Sequence, residues 1–138
     1  MIHAVLASVV FAAVLSQGLK ILIIAHRHKQ AFHINDLFVT GGMPSSHAAL
    51  VSALLSIIYL TEGISTSFGI SLVLFIIVIR DACGVRRSVG DEGKKINSII
   101  KISKLKLGRL HYAIGHTPSE VAVGIIIGVV CAIAAYAL

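Results

Sequence analysis

Residues 41–60 read GGMPSSHAALVSALLSIIYL. A turn-prone opening ends at His47, and the stretch from Ala48 to Leu60 is then apolar except for Ser52 and Ser56. That contrast decides the fold. A polar turn set directly against an apolar run is what a helix start looks like when the helix is solvated by lipid. Pro44 suits a first helical turn, where its missing N–H costs nothing. Ser45 and Ser46 then fall where backbone N–H groups lack intrahelical partners. Gly41 and Gly42 allow the backbone to approach a ligand closely.

Composition widens the reading to the whole chain. Of 138 residues, 57% are apolar and only 13% are charged. Soluble domains carry about 25% charged residues, and a soluble chain this short cannot bury so much apolar surface. Four apolar segments stand out: Ala4 to Ala25, about Pro44 to Leu60, Ile64 to Ile79, and Thr117 to Leu138. A spanning helix needs about 20 residues; the first and last segments meet this and the middle two are shorter. These segments lack the polar face of a soluble helix. The expected fold is all-α: a polytopic membrane bundle of about four transmembrane helices forming one domain, residues 1–138. The first segment has no basic region before it, since Met1 to Ala4 carries only His3, so it reads as a retained span and not a signal peptide. Cys83 falls in a polar loop and Cys131 in the last span, a pattern that sets up neither a disulfide framework nor a metal site.

The net charge is +6, and its distribution orients the chain. Arg27 and Lys29 follow the first span, and Arg80, Arg86, Arg87, Lys94, Lys95, Lys101, Lys104, Lys106 and Arg109 follow the third; the connection between spans two and three carries only Glu62. Basic loops stay cytoplasmic. The first and third loops are therefore expected on the cytoplasmic face of the cell membrane, where their polar residues meet. Within the third loop, KKINSIIKISKLKL (94–107) places Ile96, Ile99, Ile100, Ser103 and Leu107 on one helical face with most lysines away from it. That pattern suits an amphipathic helix lying on anionic lipid. The lysines lack an aromatic platform, which argues against nucleic acid as a partner.

The candidate chemistry sits at two helix starts. His47 follows Ser45 and Ser46 within one turn of a helix N-terminus, a place that favours anions. Residues 115–124, GHTPSEVAVG, repeat the design. His116 and Glu120 are four apart and share a helical face. A carboxylate there can fix the imidazole tautomer and leave the other ring nitrogen free to attack. Thr117 and Glu120 also have the spacing of a capping box, which accounts for them but not for His116. Cations complete the set. In KILIIAHR, Lys20 and Arg27 lie seven apart on one helical face, and a lysine inside a span either functions or reaches out to the surface. In RDACGVRRSVG (80–90), Arg86 and Arg87 can grip phosphate bidentately, with Asp81 available to orient an arginine.

Together GGMPSSH, RDACGVRRSVG and GHTPSEVAVG resemble the divergent branch of the type-2 phosphatidic acid phosphatase superfamily, related to acid phosphatases and vanadium-dependent haloperoxidases. The resemblance covers nearly the whole chain. The wider superfamily uses a lysine and an arginine separated by six residues, then P-S-G-H, then S-R-x5-H-x3-D. Lys20 and Arg27 match the first pair, Pro44, Ser45 and His47 the second motif, and His116 the histidine of the third, with Glu120 in place of its aspartate. The resemblance implies that His116 is the nucleophile, Glu120 its orienting group and His47 the general acid. Lys20, Arg27, Ser45, Ser46, Arg86 and Arg87 would then hold phosphate. Departures are plain: Arg27 is followed by His28, Ser46 replaces a glycine, and the third-motif arginine has Arg109 only as an imperfect alternate. The implied activity is metal-independent hydrolysis of a lipid phosphomonoester or pyrophosphate through a phosphohistidine, with no cofactor. The partner is the membrane lipid itself. Four spans, against the six usual in the superfamily's membrane enzymes, leave a homodimer that completes the fold open. The rival reading is a non-catalytic protein that binds or transports an anionic lipid or small anion. A third, a scaffold subunit, rests on the small residues of GISTSFG and GIIIGVV, which allow close helix packing.

Overall fold

The computed structural model describes residues 2–28, 42–103, 107, 108, 110, 112 and 114–138, apart from the side chains of Arg27 and His28. Among these every regular element is a helix: α1 (Ile2–His28), α2 (Ser46–Glu62), α3 (Thr66–Arg80), a π-helical turn (Asp81–Val85), α4 (Arg86–Ile102) and α5 (Pro118–Ala137). Three stretches are long and apolar enough to cross a membrane: Ile2–His26, Thr66–Ile102 and Pro118–Ala137. The Ser46–Glu62 helix is apolar but shorter. The protein is an integral membrane protein built as a helical bundle, as the apolar segments predict.

Three of the helices begin at a side-chain cap. Ser45 caps α2 by accepting from the Ala48 N–H, Ser65 caps α3 by accepting from Phe68, and Thr117 caps α5 by accepting from Glu120. These caps satisfy amides that would otherwise face lipid unpaired. Pro44 is accordingly not in the first helical turn of α2, as expected from sequence; it precedes the cap, because the Ser45 hydroxyl takes the capping role.

Helix α2 lies at the centre, packed on α1, α3 and α5. Its tightest neighbour is α5, and glycine is the reason. A Cβ on Gly124 would run into the Ser45 carbonyl oxygen, and one on Gly128 into the Ser52 hydroxyl and the Ala49 carbonyl oxygen. The absence of side chains lets the two backbones approach closely, the packing device lipid-solvated helices rely on. Ser52 binds back to its own helix at Ala48 O (2.7 Å) and reaches across to Ile125 O (3.3 Å). On the other flank, the Ser8 hydroxyl of α1 donates to Ala53 O at 3.4 Å. The core between these helices is correspondingly small: Ala12, Ala49, Ala53 and Cys131 form one cluster.

Sequence and structure differ in the third connection. The stretch RDACGVRRSVG, read as loop, is helical, and α4 starts at Arg86 instead of near Lys94. A π turn whose Arg86 N–H bonds back to the Asp81 carbonyl joins α3 to α4 without interrupting the backbone ladder. Cys83 therefore sits in this turn, packed beside Ala48, Ala82 and Val121, and not in a polar loop. The amphipathic helix anticipated in this region exists, with Ile96 and Ile99 exposed along it. Lys104 and Lys106 fall outside the described residues.

Candidate active site

The starts of α2 and α5 converge. The Ser45 N–H donates to the Glu120 carbonyl oxygen at 3.1 Å, so the caps of the two helices are tied backbone to backbone. Ser45 is fully buried, with its hydroxyl engaged as the α2 cap. Its backbone N–H is taken by Glu120, while the hydroxyl, which accepts from Ala48, keeps its own proton to donate; Ser46 and His47 follow in the first turn of α2.

His116 stands one residue before the α5 cap. Its backbone N–H donates to Ala82 O in the π turn at 3.1 Å. Its Nδ1 lies 3.2 Å from Glu120 Oε2. The same carboxylate oxygen accepts the Thr117 N–H at 3.1 Å, closing a capping box. Capping and imidazole orientation, rival readings of Glu120 from sequence, are thus both present and share one oxygen atom. Gly42, with φ of 82°, brings its backbone within bonding reach of the imidazole. Only glycine adopts that backbone at no steric cost.

The charges around His116 come from three other elements. Lys20 of α1 is 3% exposed, so it points into the bundle and does not reach out to the bilayer surface. It lies within electrostatic reach of Glu120, His116 and His47. His47 of α2 also senses Arg86 and Asp81. Arg86 Nε is paired to Asp81 Oδ2 at 2.5 Å across the π turn, which leaves both terminal nitrogens of the guanidinium for another partner. Burial pushes the His116 imidazole below its ordinary value of 6.5 and the Lys20 charge pushes the same way, against the Glu120 hydrogen bond and charge and the Gly42 backbone. The ring is therefore neutral at pH 7. With Nδ1–H held on Glu120, the lone pair is on Nε2.

Of the residues singled out from sequence, His116, Glu120, His47, Lys20, Arg86 and Asp81 come together here. Arg87 is next to the site by its backbone: a Cβ on Gly115 would collide with Arg87 N and Cα, while the Arg87 side chain is exposed. Arg27 is on α1 with Lys20, but its side chain lies outside the described residues, as does the whole of Arg109. Among the described residues no group of three or more His, Cys, Asp or Glu is placed to hold a metal ion.

Sequence reasoning missed the device that brings His116 to the site. Beyond α4, described residues return to that helix at Leu110, Tyr112 and Gly115. The Asn97 side chain grips Leu110 with two hydrogen bonds, Nδ2 to Leu110 O and Leu110 N to Oδ1, each 2.9 Å. Gly93 is buried under the Tyr112 ring, which a Cβ there would penetrate. Gly115 meets Arg87. Gly90, Gly93 and Asn97, three and four apart, share one face of α4. That spacing was available in the sequence, hidden among the lysines.

No solved structure matches the chain. The chain is 30% identical over 140 residues to the uncharacterised membrane protein YuiD of Bacillus subtilis (strain 168), a match that spans 90% of this chain and 85% of YuiD. The Divergent PAP2 family matches residues 1–131, a range that holds all three motif stretches and every helix start described above. The chain therefore belongs to the divergent PAP2 family.

Proposed function

We propose that this protein is a membrane lipid-phosphate phosphatase that works through a phosphohistidine at His116. The observation that carries the reading is the His116–Glu120 pair, 3.2 Å apart and buried beside Lys20, with His47 on the adjoining helix start. A protein that only binds an anion has no use for an oriented neutral imidazole next to a second histidine.

In the first step His116 Nε2 attacks phosphorus, and the bond from phosphorus to the leaving oxygen breaks. Protonated His47 gives its proton to that oxygen, so the lipid leaves as an alcohol, or as a monophosphate when the substrate is a pyrophosphate. Glu120 stabilises the positive charge that develops on the His116 ring. In the second step His47, now neutral, takes a proton from water as the water attacks the phosphohistidine, releasing inorganic phosphate and restoring both histidines. Lys20, Arg86 and the first-turn amides at Ser46 and His47 hold the phosphoryl oxygens, with Arg27 and Arg87 as further cations on the same elements. Phosphoryl transfer depends mostly on such positioned charge and donors.

The substrate class follows from position. The site lies where the apolar helices α2 and α5 begin, so a lipid phosphate can reach it by lateral diffusion with its chains still in the bilayer. The basic flanks of α1 and α4 favour the cytoplasmic face of the cell membrane.

The test is phosphate release by detergent-purified protein from a panel of lipid phosphates without added metal, beside His116→Ala and His47→Ala. Release that collapses in His116→Ala supports the phosphatase. No release across the panel, with phosphatidate bound equally by wild type and both variants, would replace it with an anionic-lipid binding protein.

A further inference from the structure

We infer that Asn97 is a positioning residue for the candidate nucleophile: by clipping Leu110 to α4 it makes that helix and the chain leading to His116 move as one unit, which fixes Arg86 and His116 relative to each other. The inference rests on the phosphatase reading for its kinetic consequence but not for its geometry.

His116 lies outside α5, so α5 alone does not determine its place. Glu120 restrains the ring and Ala82 O restrains its backbone N–H. The remaining restraint arrives along the chain from α4. Leu110, Tyr112 and Gly115 meet α4 at Asn97, Gly93 and Arg87, each at an earlier position than the last. The chain thus descends α4 toward the π turn, where Arg86 stands. Two of these three contacts are van der Waals packing on glycines or backbone, which resists compression but not sliding. The Asn97 amide is different. It supplies one donor and one acceptor to both backbone groups of one residue, the complementarity a β-ladder offers a strand, and it therefore fixes register. A slip of one residue would replace Leu110 by its neighbour and move Gly115 off the Arg87 backbone, where no Cβ fits.

Asn97 touches none of the reacting groups, so its loss should act on kcat and spare KM. The phosphoryl-holding groups Lys20 and Arg86 belong to α1 and α4, and the α2 amides to a third element. A nucleophile displaced by about 1 Å costs on the order of 100-fold in rate.

The experiment compares full-length wild type with Asn97→Leu, which removes both bonds, and Asn97→Asp, which keeps the acceptor and loses the donor. Two readouts are taken in detergent micelles. One is kcat and KM on a short-chain phosphatidate. The other is the hydrogen-bonded Nδ1–H resonance of His116 in 15N-histidine-labelled protein, assigned by its loss in His116→Ala. Expected are a kcat reduced about 10- to 100-fold with KM within about threefold, and a weakened or shifted His116 Nδ1–H signal, with Asn97→Asp affected in the same direction. An unchanged His116 signal in both folded variants would overturn the inference, even if melting temperature fell. If the wild type releases no phosphate, the phosphatase reading fails by itself, and the His116 resonance still decides the role of Asn97. Should Asn97→Leu not fold, Asn97→Asp carries both readouts.

Discussion

Glu120 Oε2 accepts from two donors at once, His116 Nδ1 at 3.2 Å and the Thr117 backbone N–H at 3.1 Å. The helix cap is therefore also the orienting group of the imidazole. One atom sets where α5 begins and which nitrogen of His116 carries the proton. Replacing Glu120 by Gln separates the two roles. The amide oxygen can still accept from Thr117, so the helix start survives at a cost below about 1 kcal/mol. The charge that stabilises the imidazolium is gone. Phosphate release should fall about 100-fold or more, with the thermal midpoint in detergent shifted by only a few degrees. Comparable loss of both would mean that Glu120 serves only the fold.

The pH dependence follows from the direction of the His116 shift. Its folded value is pushed below the ordinary 6.5, chiefly by burial. Attack requires the neutral His116 ring, so the acidic limb of the kcat/KM profile should lie below about pH 6.5, while the need for a protonated His47 sets the alkaline limb. Stability has the same sign. Between the depressed folded value and the ordinary one, the unfolded chain binds a proton that the folded site does not. The contribution is thus fully present above the unfolded value and lost as pH falls through the folded one. Glu120 favours the protonated ring. In Glu120→Gln the acidic limb should move to still lower pH, a shift read directly from the pH profile of the residual activity.

The α2–α5 contact gives a stability prediction independent of any activity. Gly128→Ala drives a methyl into Ser52 Oγ and the Ala49 carbonyl oxygen, and neither helix backbone can move without disturbing the Ser45–Glu120 bond above. Overpacking of this kind costs about 1–3 kcal/mol. At Gly18 and Gly69 a Cβ meets nothing within 4 Å, so alanine there should be neutral or slightly stabilising. Unfolding in detergent of the three variants side by side checks the contrast. Activity of Gly128→Ala should fall as well, since the two helix starts that carry His47 and Glu120 are no longer held in register.

The spans were legible because lipid demands continuous apolar sequence: the predicted fourth segment, Thr117 to Leu138, and the observed Pro118–Ala137 nearly coincide. The pairing of His116 with Glu120 was legible from their spacing of four, although not by a shared helical face: His116 precedes the α5 cap, and the two meet because Glu120 turns back to the helix start. What sequence concealed was non-local or lay where local signals conflict. Gly84, with Arg80, Asp81, Arg86 and Arg87 around it, reads as a turn, yet α3 continues through it as a π turn. The spacing of Asn97 from Gly90 and Gly93 could be read locally, but not its role, because its partner Leu110 is thirteen residues away. Lys20 was ambiguous for a physical reason: a lysine near a span end can reach either outward or inward, and only the packed bundle determines which.

That inward direction yields the last prediction. A buried ammonium within a span is costly unless nearby charge compensates it. Lys20 has Glu120 close by, but it also faces two histidines, an arrangement poor for stability and suited to a site that receives an anion. Lys20→Met keeps the length and the apolar stem while removing the charge. The fold should tolerate it, with a thermal midpoint equal to or above that of wild type. Protection of the protein by added orthovanadate or phosphate, measured as a rise in that midpoint, should disappear, because the buried ammonium that faces His47 and His116 is gone. Phosphate release should fall by about 100-fold, the scale on which single oxyanion-holding groups act. A variant that melts well below wild type yet keeps its phosphate response would instead make Lys20 a structural partner of Glu120.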